Sequence, residues 1–134
     1  IRASGAIVAP FADTPIPVVD PADIAAVAAV ALRTPDHAGK VYDLTGPAPI
    51  TPREQAAAIA SALGKSLAFT EVTRAQAAAA MRAFIPEDLV EATLDISGSP
   101  NEIERRVSPD IERVLGRPAT SYAAWARRNV DAFR

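Results

Sequence analysis

Prolines and glycines divide this chain into short pieces, and the pieces fall in one order: strand, helix, strand, helix, strand, then three or four helices. Alternation of that kind at the start, with helices gathered at the end, predicts an α/β fold. Gly5–Ala9 reads as a short strand stopped by Pro10, and Val18-Val19 as a second brief extended piece after the loop to Pro17. Asp20 is placed to cap a helix with Pro21 at its first position and Asp23 complementing the dipole. Ile24, Val27, Ala28, Ala31 and Leu32 then fall on one face, and the helix ends before Pro35. Gly39 turns the chain into a strand over Lys40–Leu44.

Thr51-Pro52-Arg53-Glu54 is a capping box, and it opens a helix with Ala56, Ile59, Ala60 and Leu63 on one face that stops at Gly64. Leu67–Val72 alternates as a strand. Thr73-Arg74-Ala75-Gln76 forms another capping box before a helix carrying Ala77, Met81 and Phe84. Pro86 restarts a helix that runs to about Ile96, and Ser97–Asn101 reads as the most flexible stretch. Ser108-Pro109 begins a short helix with Ile111, Val114 and Leu115, ended by Gly116. Thr120 or Ser121 caps a last helix bearing Tyr122, Trp125, Ala126 and Phe133. There is no internal repeat and no heptad run.

Composition narrows the function classes. A length of 134 residues suits one domain. The hydrophobic share is 49%, much of it alanine, and only 5% is aromatic, so the core is expected to be thin. A net charge of −2 argues against a nucleic-acid surface; Arg105-Arg106 and Arg127-Arg128 are the only paired basics and read as solvated faces. The chain has no cysteine, which removes disulfides and thiolate metal sites. Its longest apolar run, Ile24 to Leu32, is too short for a bilayer span of about 20 residues. With no leader pattern and no initial Met, the simplest expectation is a cytoplasmic protein entered part-way along.

The chemistry-bearing residues point to no catalytic, cofactor or metal centre within the chain. A Rossmann or P-loop phosphate site needs closely spaced glycines, and the glycines at 5, 39, 46, 64, 98 and 116 never come closer than seven residues. His37 is the only histidine and reads as an exposed turn residue. Asp20 and Asp23 read as capping and dipole compensation rather than as a catalytic pair, and no local motif indicates Ser/His/Asp geometry. Glu87, Asp88, Glu91 and Asp95 form a solvated acidic face.

Several short motifs recur in a fixed order: Val18-Val19-Asp20-Pro21-Ala22-Asp23-Ile24-Ala25, Val41-Tyr42-Asp43-Leu44-Thr45-Gly46-Pro47, Gly116-Arg117-Pro118 and the closing Trp125/Phe133 helix. With them the chain resembles the C-terminal half of an NmrA-like, atypical short-chain dehydrogenase/reductase. The resemblance implies a partial Rossmann-type α/β lobe of three to four short strands and five to six helices. Residues 1–50 would be sheet-associated and 51–134 a mainly helical lid. It also implies that an N-terminal Rossmann half, absent here, binds NAD(P), that the full protein is a reductase, an epimerase-like enzyme or a cofactor-sensing regulator, and that this chain alone binds no cofactor and is inactive. Typical members carry a Tyr with a Lys four residues later; Tyr42 is followed there by Gly46 and Tyr122 by Ala126, so no catalytic pair is present. Met81, Phe84 and Ile85, with Phe11 after the first strand, are the residues the resemblance places on the wall of a small-molecule substrate pocket. The expected partners are that substrate and the missing half, or a second copy of the chain, with neither nucleic acid nor membrane. Two other readings fit the residues: a non-catalytic α/β ligand-binding or interaction module, and an NAD(P)-sensing regulator. A split protein with its Rossmann half on another chain is a further variant.

Overall fold

Two four-residue strands, β1 (Ala6–Ala9) and β2 (Ala68–Glu71), pair in parallel, with Ala6 opposite Ala68 and Ala9 opposite Glu71. The coordinates are a computed structural model, which describes residue 1 and residues 4–134. A parallel pair cannot be closed by a hairpin. The chain between the strands accordingly makes a long crossover through α1 (Pro21–Ala31) and α2 (Pro52–Leu63). After β2 come α3 (Arg74–Met81), α4 (Glu87–Gly98), α5 (Glu102–Arg105), α6 (Asp110–Leu115) and α7 (Tyr122–Arg128), with short 3-10 turns at Pro35–His37 and Val130–Phe133. No helix among the described residues is long and apolar enough to cross a membrane.

Helix starts follow the capping chemistry written in the sequence. Asp20 accepts from the Ala22 N–H, and the Thr51/Glu54 and Thr73/Gln76 boxes are each closed in both directions. Ser121, rather than Thr120, caps α7. Gly64 and Gly116 end α2 and α6 in the left-handed conformation, where a side chain would be strained.

The core is thin and built in three contacts. Ala77 and Ala78 of α3 meet Val90 and Leu94 of α4, and Phe11, Val72, Met81 and Ile85 pack around them. Helix α1 packs on α6, and α2 on α7. Val27, Ile111, Ala56, Ile59 and Ala126 are buried on these helices.

The α/β lobe stands, and several of its parts differ from the sequence reading. Lys40–Leu44 forms no strand among the described residues: no neighbouring strand is present to pair with it, and Val41 is 90% exposed. Among the described residues two strands form, fewer than the three or four expected. Val18-Val19 lies outside any ladder, the nearest pairing being an isolated antiparallel bridge between Ile16 and Ile50. The stripe on α1 is buried only at Val27, because the six-residue α6 covers a narrow strip and leaves Leu32 88% exposed. Ser97–Asn101 is structured: α4 runs through Gly98, and Asn101 and Glu104 form an unread capping box that starts α5. Among the described residues there are seven α-helices, where five to six were expected. Phe84 lies beyond the end of α3 in the turn to α4, and Phe133 sits on a 3-10 turn rather than on α7. His37 is half-buried, its Nδ1 2.6 Å from the Tyr42 hydroxyl.

Candidate functional site

Two backbone segments clasp each other between β1 and α2. Ile16 and Ile50 exchange both N–H···O bonds, and the Gly46 N–H donates to Pro17 O at 2.9 Å. Gly46 is required there: a Cβ would lie 2.2 Å from the Val18 carbonyl oxygen, inside any tolerable contact. This close approach leaves Val18 as a wall common to three hollows.

The first is a cavity of about 260 Å³. Ile16, Val18, Leu44 and Thr45 line it with Ile96 of α4 and Ile103 of α5. Its polar residues are fixed by one another. Arg106 pairs with Asp43 at 2.7 Å, and the Ser108 N–H donates to Thr45 Oγ1 at 2.9 Å. The Asp43 N–H donates to the Asp110 carboxylate at 2.9 Å. That bond is the main force holding the Asp110 carboxyl below its ordinary range, against partial desolvation and with help from Arg113. An apolar chamber with a few oriented polar groups is the form of a small-molecule site, although its volume falls a little under the usual lower bound of about 300 Å³.

The residues read from the sequence as a pocket wall are placed unequally. Phe11, Met81 and Ile85 come together around the α3–α4 core, whereas Phe84 is 87% exposed and outside that cluster. Phe11 has φ +53°, a left-handed conformation costly for a non-glycine residue. Its loop is held from several sides, at the carboxyl ends of both strands. The Ala12 N–H donates to Glu71, the Arg53 N–H to Ala12 O, the Thr14 N–H to Phe11 O, and the Arg53 guanidinium pairs with Asp13. The Phe11 ring lies where a side chain on Gly98 would be, 2.6 Å from the ideal Cβ position. The last turn of α4 thus joins the two regions, with Gly98 under Phe11 and Ile96 in the cavity.

Asp20 and Asp23 hold α1 against the C-terminal segment. Asp20 caps α1 and pairs with Arg128 of α7. Asp23 is 1% exposed and accepts from Arg117 at 2.7 Å, the Thr120 N–H at 2.6 Å and the Thr120 hydroxyl at 3.2 Å. Desolvation pushes its carboxyl up, and those donors together outweigh it, so the group sits below its ordinary range. Among the described residues no cluster of three or more His, Asp or Glu side chains forms a metal set.

Sequence reasoning missed Ile16, Asp43, Thr45, Ile103 and Arg106. The usable signal was Gly46, a glycine two residues after the strand-like Lys40–Leu44 segment, where it can mark close backbone approach. Arg106, flanked in sequence by Glu102 and Glu104, reads as a solvated basic residue, while its partner in the fold, Asp43, is 63 residues away.

No family model matches the chain. It is 36% identical over 134 residues to the (4-alkanoyl-5-oxo-2,5-dihydrofuran-3-yl)methyl phosphate reductase of Streptomyces griseus subsp. griseus, a match covering 99% of this chain and 48% of that one. It is 33% identical over 135 residues to the NAD(P)H azoreductase of Xenophilus azovorans, covering 99% of this chain and 47% of that one. Among solved structures it is similar to the Citrobacter sp. triphenylmethane reductase complexed with NADP(H). There the TM-score is 0.73 at 25% identity, covering 96% of this chain and 46% of that one. The chain spans about half the length of the curated relatives it matches, and that likeness to part of known reductases is shared by sequence and fold.

Proposed function

We propose that the chain is the C-terminal, substrate-side lobe of an NAD(P)-dependent reductase of the NmrA-like, atypical short-chain type. The observation that carries this reading is the match of nearly the whole chain to just under half of each reductase. The residues present do not fit a dinucleotide pyrophosphate. The positive-φ glycines at 5, 39, 64 and 116 stand in separate turns, and no glycine-rich loop opens a helix. The nucleotide therefore belongs to a second half, and this lobe binds and orients the small-molecule acceptor and keeps water from it.

Two features support that division of work. The wall begun by Phe11, Met81 and Ile85, with Phe84 exposed at the α3–α4 turn, supplies apolar surface for an acceptor at the carboxyl ends of the strands. The Lys40–Leu44 segment has strand-forming residues at its centre, and the backbone N–H groups of Val41, Tyr42 and Leu44 have no partner among the described residues. In the complete protein this segment would pair with the edge of the dinucleotide-binding sheet.

The test is made on the protein expressed from its natural gene. Its intact mass is compared with 14.0 kDa, and its oxidation of NADPH and NADH is followed with menadione as acceptor. A mass near twice that value and menadione-dependent oxidation of either dinucleotide are expected. A natural protein of 14.0 kDa with neither partner nor activity would overturn the reading.

A further inference from the structure

The other two hollows that share Val18 also share Tyr122. One is a cleft of about 330 Å³ lined by Pro47, Pro49, Ile50, Ala58 and Tyr122, with Glu54 at its border. The other, about 110 Å³, lies against Asp20, Thr120, Tyr122 and Trp125. Tyr122 is held by other rings: Trp125 lies 5.0 Å away, centroid to centroid, and Trp125 meets Phe133 edge-on at 5.8 Å. These contacts fix a flat aromatic wall facing prolines and aliphatic side chains.

The polar side chains of the cleft are already engaged, with one exception. The Glu54 carboxylate accepts from the Thr51 N–H and hydroxyl, and the Ser121 hydroxyl caps α7. The half-buried Tyr122 hydroxyl has no protein partner among the described residues. Burial also disfavours its ionised form, so it remains a donor at neutral pH. The Glu54 carboxylate in the lining disfavours an anionic guest.

We propose that this cleft is a second binding site, which takes a flat, uncharged aromatic molecule bearing a carbonyl that accepts a hydrogen bond from Tyr122. Apolar burial against Pro47, Pro49, Ile50 and the Tyr122 ring supplies affinity, and the hydroxyl supplies orientation. The proposal does not depend on the reductase reading, since it uses only residues of this chain.

The experiment titrates the isotope-labelled chain by NMR with three probes: acetophenone, cumene (similar in shape, without the carbonyl) and benzoate. Acetophenone is expected to shift the Trp125 indole N–H and the Ala123 amide. Cumene should bind the same place about fivefold more weakly, the loss typical of one neutral hydrogen bond, and benzoate at least tenfold more weakly. Tyr122→Phe should bring acetophenone to the affinity of cumene and leave cumene unchanged. Ala58→Leu, which fills the cleft from α2, should weaken both without touching the tyrosine. Equal affinities for acetophenone and cumene in the unaltered chain would overturn the proposal. So would shifts that avoid Ala123 and Trp125, or Ala58→Leu leaving acetophenone binding intact.

Discussion

Removing the Asp23 carboxylate leaves the Thr120 N–H, the Thr120 hydroxyl and the Arg117 guanidinium without their shared acceptor. Asp23→Ala is expected to cost about 3 kcal/mol in urea unfolding at pH 7, at the lower end for a broken buried pair because Arg117 still reaches water. The folded carboxyl lies below its unfolded value, so its stabilisation is fully present above about pH 3.9 and is lost as pH falls through the folded value. The stability gap between the unaltered chain and Asp23→Asn should therefore narrow below about pH 4. Gly98→Ala should destabilise by about 1–3 kcal/mol through collision with the Phe11 ring, although alanine ordinarily favours a helix. Pairing it with Phe11→Ala should recover part of the loss, a coupling that a double-mutant cycle reads directly. Phe84→Ala should change stability by less than about 0.5 kcal/mol, since the ring is 87% exposed. At this scale the sequence disclosed Asp20 as a cap and hid Asp23. Its partners lie 94 and 97 residues away, and nothing local distinguishes a buried carboxylate from one facing solvent on a first turn.

Helix boundaries were the most legible part of the fold, because their causes are local. Thr51→Ala should cost about 1 kcal/mol by opening the capping box of α2, measured as a lowered urea midpoint with unchanged slope. The Asn101/Glu104 box starts α5 by the same chemistry and went unread, because serine, glycine and proline just before it carry the signature of a loop. Lys40–Leu44 failed for the opposite reason. Its pattern suits a strand, but a strand exists only when a neighbour is present, and no residue in the segment reports on that. The cavity beside Val18 was illegible because its walls come from four separate stretches of chain, brought together by the Pro17–Gly46 clasp and by the long-range Arg106–Asp43 and Ser108–Thr45 contacts. Gly46 alone recorded that approach in the sequence.

The molecule as a whole exposes several large apolar side chains, with Leu32 at 88%, Val41 at 90% and Ile103 at 73%. The two-stranded sheet and the Lys40–Leu44 segment, whose Val41, Tyr42 and Leu44 N–H groups have no partner among the described residues, add free backbone edges. Edges and apolar surface of this kind recruit partners, so sedimentation of the isolated chain at micromolar concentration should show dimers or larger species rather than a monomer alone. A compact monomer that melts cooperatively and excludes hydrophobic dye would instead favour a self-sufficient binding module. If this lobe offers surface to the acceptor and leaves the dinucleotide to another half, calorimetric titration of the isolated chain with NADPH and NADH will show no saturable binding of either. A dissociation constant below about 100 μM, equivalent to a binding free energy near −5.5 kcal/mol, would contradict it.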